Sequence, residues 1–335
     1  MASGAVAWAA MGLVVAGAGL AAAAPGLGGP PPGMAAMGAA IAEAHARLLA
    51  QCPAVAVPAD AASLPVHITR WGDKGPAVLL VHGGVQGGIG GGPSNFAGQK
   101  PLADEGFQLR LIDRPGFGQS PSRGPDDQTA DAALIAAALG HGSHLVGHSF
   151  GGAEALLAAG QRPEAVRSLI LIEPALQTLA ATDPASLADP GVRDSLQHVV
   201  RAMLGAKTPA DFATTFAGDL GTAADGGPNP SAAALKAHPE RAPALGCALV
   251  RARIATPPAL RQAADAVVAA GIPVLVVSGG YSAGQDASAA AVARILHGRH
   301  LVVRSPNHFI QQSNAAGFNE AAAAFMRAAD ARHGR

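Results

Sequence analysis

The stretch Leu145-Val146-Gly147-His148-Ser149-Phe150-Gly151-Gly152 sets a serine at the centre of a G-x-S-x-G pattern. An apolar run leads into it and the Ala/Leu-rich run 153–159 leads out, so the spacing predicts a strand, a tight turn and a helix. Such an elbow strains the backbone at the serine, and bulk at Gly147 or Gly151 would collide across the turn. It lifts the hydroxyl clear of the sheet over a helix amino end, where a nucleophile belongs. A serine hydroxyl attacks poorly until a base takes its proton, and imidazole is the side chain that titrates near neutrality. The chain has 12 histidines, so position must select the base. His308, in Asn307-His308-Phe309 after the last predicted strand, is the candidate. His148 is read as structural, with its side chain turned from the reacting face. His82 is read as packing under the loop that follows it, and His297 and His300 as surface residues.

These side chains need a scaffold, and short apolar runs alternating with helical ones supply it. Strands are expected at 66–70 (an edge), 77–81, 108–112, 144–146, 168–172, 273–277 and 300–303. Helices are expected at 34–51, 129–139, 151–159, 258–270, 287–296 and 315–329. The alternation predicts an α/β fold, a doubly wound, mostly parallel sheet whose sites sit at the carboxyl ends of its strands. From Ala175 to Gly271 no strand is found, only helical pieces such as 192–204 and 210–215. A loop that long needs structure of its own, so 175–271 is read as a helical cap over a core formed by 34–174 and 272–335.

With these motifs in place the chain, over about 54–330, resembles the α/β-hydrolase superfamily, a serine esterase or lipase-like member with a helical cap. Val81-His82-Gly83-Gly84 resembles the strand end before that family's oxyanion loop, and Asp113-Arg114-Pro115-Gly116-Phe117-Gly118-Gln119-Ser120 its D-x-x-G-x-G-x-S turn. The resemblance implies Ser149 as nucleophile, His308 as general base, and the backbone N–H groups of Phe150 and Gly84 as the oxyanion hole. It also implies an acid just past the strand at 273–277, commonly as G-x-x-D, but Ser278-Gly279-Gly280-Tyr281 carries none there. Asp286 reaches His308 only if the glycine-rich loop folds back. Glu173, at the end of the preceding strand, lies where haloalkane dehalogenases keep their acid. Asp286 is narrowly preferred; as alternatives it serves as a helix N-cap and Glu173 holds the entry to the cap.

Composition narrows the partners. Of 335 residues 49% are hydrophobic and 14% charged, with Lys+Arg 23 against Asp+Glu 23, and no local basic patch, so nucleic acid is not expected. Aromatics at 4% leave aliphatic side chains to line any large pocket, which suits an apolar ester. No H-E-x-x-H spacing implies a metal, and no G-K-[ST] follows the glycine loop 83–92 to cradle phosphate. Gly17-Ala18-Gly19-Leu20-Ala21-Ala22 fits a dinucleotide fingerprint in letters only, because no second strand separates it from Glu43. No cofactor is expected. The apolar run 5–24, with the Gly/Pro stretch to residue 33, reads as an export signal or membrane anchor, and a membrane is expected only through it. Without it the protein would be cytoplasmic. Cys52 and Cys247 are read as two buried thiols in preference to one bridge, which export would allow.

Three functions fit: a cofactor-free serine hydrolase of carboxylic esters, a carbon–carbon bond hydrolase of the meta-cleavage type, and a non-catalytic hydrolase-fold binding protein. The aspartate nucleophile of dehalogenases and epoxide hydrolases is excluded by Ser149.

Overall fold

The computed structural model describes residues 32–333 apart from 89, so the apolar leader at 5–24 lies outside the described residues. Seven strands form one sheet in the order β1-β3-β2-β4-β5-β6-β7. They are β1 (Ile68–Trp71), β2 (Ala77–Val81), β3 (Gln108–Ile112), β4 (Ser143–His148), β5 (Val166–Ile172), β6 (Val274–Ser278) and β7 (Arg299–Val302). Only β1 runs antiparallel, against β3. Along the parallel strands side chains alternate between two buried faces. Leu79, Val81, Leu145, Leu169 and Val276 enter one core, while Leu80, Val146, Ile170 and Val277 enter the other.

The principal helices are α1 (Pro32–Leu49), α2 (Gln128–Ala138), α3 (Phe150–Gln161), α4 (Pro190–Gly205), α5 (Pro209–Gly218), α6 (Pro230–Ala237), α7 (Ala242–Arg251), α8 (Pro257–Ala269), α9 (Ala283–Ile295) and α10 (Ala315–His333). Polar caps fix several starts: Asp127 accepts from two amides of α2, Thr208 and Asp211 form a capping box on α5, and Ser282 caps α9. Helices α2, α3, α8 and α9 cover one face of the sheet and α10 the other.

Helices α4 to α7 fill the strandless insertion, and two boundaries differ from the sequence reading. Helix α8, counted there with the cap, places Leu260, Ala263, Ala264 and Val267 in the same core as α3, because its apolar stripe faces the sheet. Helix α1, counted with the core, packs Ile41, Ala44 and Leu48 against Val200 and Met203 of α4, Phe212 of α5 and Val250 of α7. The same packing corrects the reading of two thiols. It brings Cys52 and Cys247, 195 residues apart, to a Cα separation of 5.5 Å in a disulfide. No described helix is long and apolar enough to cross a membrane.

Register aligns the carboxyl ends: Val81 pairs with Gly147, His148 with Ile172, and Ile172 with Val277. Residues 82–84, 149, 173 and 279–281 therefore leave the sheet along one edge, under the cap.

Candidate active site

Ser149 bridges β4 and α3 at φ 55°, ψ −121°, a conformation that side-chain-bearing residues rarely adopt. Its backbone is pinned on both sides: Ser149 N–H donates to Ile172 O at 3.0 Å, and its carbonyl accepts from Gly152 and Ala175 at 2.9 Å each. The elbow tolerates no side chain where other backbone crosses it. A Cβ on Gly151 would lie 2.2 Å from the His82 carbonyl, and one on Gly83 2.6 Å from Ser149 Cβ. Ser149 opens onto a cavity of about 130 Å³ whose cap-side wall is Phe216, Leu220, Leu245 and Leu249. Gly84, Phe150 and His308 line the same cavity. Among the described residues the Ser149 hydroxyl has no hydrogen-bond partner, and it opens on the cavity that His308 also lines.

His308 follows β7 on a loop that the insertion grips. Its N–H donates to Leu220 O at 2.9 Å, and Asn307 Nδ2 donates to Thr222 O at 2.7 Å. The ring is buried, and Nδ1–H donates to Glu173 Oε2 at 2.6 Å. This places Glu173, not Asp286, on the imidazole. Asp286 sits in the first turn of α9, and its Oδ1 accepts from the Gly280 amide at 3.1 Å. The glycine-rich loop does fold back, but it offers donors rather than an acid. Gly279 N–H reaches Glu173 Oε1 at 2.9 Å and the Tyr281 hydroxyl reaches Oε2 at 2.9 Å. Glu173 is 3% exposed and sits at φ 37°, a second strained non-glycine residue. Its N–H is tied to Val277 O at 2.8 Å. Burial and the Glu173 charge push the Tyr281 phenol far above its ordinary range, so it stays a donor. Sequence reasoning missed Tyr281, although it is the chain's one tyrosine and lies in the loop searched for the acid.

Two further histidines, His148 and His82, buttress the site. His148 Nε2–H donates to the His308 carbonyl at 3.0 Å and its ring lies 4.7 Å from the His308 ring, so it supports the imidazole and also lines the cavity. Burial, then the neighbouring His308, hold it well below the usual histidine range. His82, fully buried, is lowered to about 3 by burial and the Arg114 charge; its Nε2 accepts from Arg114 N–H at 3.2 Å. His300, read as a surface residue, is half-buried with Nε2 2.8 Å from Ser278 Oγ, because β7 pairs with β6.

Arg114, from the D-x-x-G-x-G-x-S turn, is buried completely. Its guanidinium meets Glu154 at 2.9 Å, Asp126 at 3.1 Å and Asp131 at 3.4 Å. It also donates to Gly84 O at 2.8 Å and lies 4.6 Å from the Phe150 ring centroid. One cation thus ties together both residues whose amides are candidates for the oxyanion hole. Burial raises Glu154 well above the carboxylate range and Asp131 to about 6. Among the described residues no group of three His, Cys, Asp or Glu is placed to hold a metal ion.

The chain is similar to known proteins over part of its length. The chain is 35% identical over 121 residues to 2-hydroxy-6-oxo-6-phenylhexa-2,4-dienoate hydrolase of Comamonas testosteroni, 34% of this chain and 42% of that one. It is 35% identical over 119 residues to pimeloyl-[acyl-carrier protein] methyl ester esterase of Methylococcus capsulatus, 35% of this chain and 41% of that one. The match therefore spans about two fifths of these relatives' lengths. A thermophilic esterase from Thermogutta terrifontis superposes with TM-score 0.52 at 21% identity, covering 79% of this chain and 93% of the other, which is a likeness of fold. The family model for the alpha/beta hydrolase fold matches residues 76–311, from the start of β2 past His308. Sheet order, elbow and that match agree, and the chain belongs to the alpha/beta hydrolase fold family.

Proposed function

We propose that this protein is a cofactor-free serine hydrolase of carboxylic esters. The observation that carries the reading is the chain of contacts Glu173–His308 ending at a cavity that Ser149 shares. Ser149 Oγ attacks the ester carbonyl as its proton passes to His308 Nε2, whose cation Glu173 stabilises through Nδ1–H. The oxyanion is met by the amides of Gly84 and Phe150, held by main chain at no cost of reorganisation. His308 returns the proton to the leaving alkoxide. Water, deprotonated by the same imidazole, then attacks the acyl-enzyme, and as the bond to Ser149 Oγ breaks His308 returns the proton to that oxygen and the acid leaves.

A carbon–carbon hydrolase is the second reading, favoured by the likeness to the dienoate hydrolase. Rates on short-chain nitrophenyl esters against a vinylogous diketone decide between them. Ester turnover that Ser149→Ala abolishes supports the proposal. Turnover of the diketone alone overturns it in favour of the second reading, and turnover of neither, in folded protein, favours a binding role. The reading extends to export: the apolar run 5–24 and the Cys52–Cys247 bridge both fit an oxidising compartment. Sequencing the amino terminus of the mature protein tests this, and a start at Met1 removes the cleaved signal.

A further inference from the structure

The catalytic cavity has a neighbour of different character. A second cavity, of about 400 Å³, shares Gly88, Ser231 and Leu245 with the first, so the two adjoin at the Leu245 side chain. Among the described residues no carboxylate lines either one, and the inner cavity is lined by no Lys or Arg. Among the described residues the outer cavity has one charged side chain in its wall, Arg241. Among the described residues that guanidinium makes no ion pair. It reaches only Gly87 O, at 3.5 Å, while the adjacent Glu240 lies 3.3 Å from His238. The arginine is carried by the short turn Pro239–Arg241 at the start of α7, the helix that the disulfide ties to the end of α1. An exposed guanidinium with no ion-pair partner among the described residues, in the wall of the cavity that adjoins the one at Ser149, is suited to a carboxylate, which it binds with two parallel hydrogen bonds.

We propose that the outer cavity is a subsite for a second, ionised carboxylate of the substrate, remote from the ester that is cleaved, and that Arg241 is the residue that selects it. The substrate class is then an ester carrying a free acid at its other end. This rests on the hydrolase reading and adds its substrate class.

Two substrate series distinguish the side on which the acid lies. One pairs monoethyl esters of straight-chain dicarboxylic acids with ethyl esters of monocarboxylic acids of equal length. The other pairs acetyl esters of ω-hydroxy acids with acetyl esters of the plain alcohols. The anionic member is favoured in kcat/KM in one series. Arg241→Gln lowers that preference about fivefold, the upper end for an exposed ion pair. Arg241→Lys keeps most of it, and salt near 1 M erodes it, as screening requires. An anionic-to-neutral ratio that is the same in wild type and Arg241→Gln, in both series, overturns the proposal. If wild type cleaves no ester, the hydrolase reading fails by itself. The subsite is then read from the dissociation constants of the same pairs on Ser149→Ala with and without Arg241→Gln. A preference that depends on Arg241 supports it and an equal ratio overturns it.

Discussion

Glu173 accepts the Nδ1–H of His308 and is itself held by the Gly279 amide and the Tyr281 hydroxyl, while Asp286 satisfies Gly280. Glu173→Gln should lower kcat about a thousandfold or more, since an amide cannot stabilise the imidazolium, whereas Asp286→Asn should stay within about threefold of wild type. Equal rates in both variants would contradict the assignment. The elbow at Ser149 and the place of His308 past the last strand were legible in the sequence because their evidence is local: a glycine on each side of a serine between strand and helix, and a histidine after an apolar run. Which carboxylate meets the imidazole depends on how residues 279–286 fold, which their own letters do not state. Tyr281→Phe removes one charge-assisted hydrogen bond from Glu173 and should lower kcat about tenfold with KM unchanged. A change in KM alone would mean that the phenol contacts substrate instead.

At the level of elements, the strands read from sequence lie within about two residues of those observed, because parallel strands buried on both faces are continuous apolar runs. The cap was less legible. Helices α6 and α7 were not foreseen, since they bury short faces such as Leu235 and Val250 against other helices and show no long periodic stripe. Nor did the sequence disclose that the D-x-x-G-x-G-x-S turn carries a buried cation. Arg114 joins the end of β3 to the loop at Gly84 and to α3, facing three acidic side chains. Arg114→Met should therefore destabilise by about 3–5 kcal/mol, read by urea unfolding, because it strands buried acids. A loss below about 1 kcal/mol would mean that those acids are protonated and need no partner.

Across the whole molecule, acidification acts on stability through two opposed sets of buried groups. His82, held near 3, and His148, held well below 6.5, refuse protons that the unfolded chain accepts, so their contribution declines as pH drops from about 6.5 to 3. Asp131, raised to about 6, and Glu154, raised well above the carboxylate range, take protons before the unfolded chain does, so their contribution grows over the same fall. His82→Asn should therefore tilt the pH dependence of the urea midpoint between about pH 7 and 4 toward greater stability in acid, and an unchanged slope would contradict this. The bridge between α1 and α7 closes a 195-residue separation that no local pattern announces. Replacing both cysteines by serine should cost about 2–4 kcal/mol. Unfolding midpoints that agree with and without reductant would show that the bridge is not formed in solution. Labelling with a fluorophosphonate tests most directly whether Ser149 is a nucleophile activated through His308 and Glu173. Mass spectrometry of the folded protein should find one adduct, on Ser149, absent from Ser149→Ala and formed far more slowly in Glu173→Gln. Folded wild-type protein with no adduct on Ser149 would contradict it.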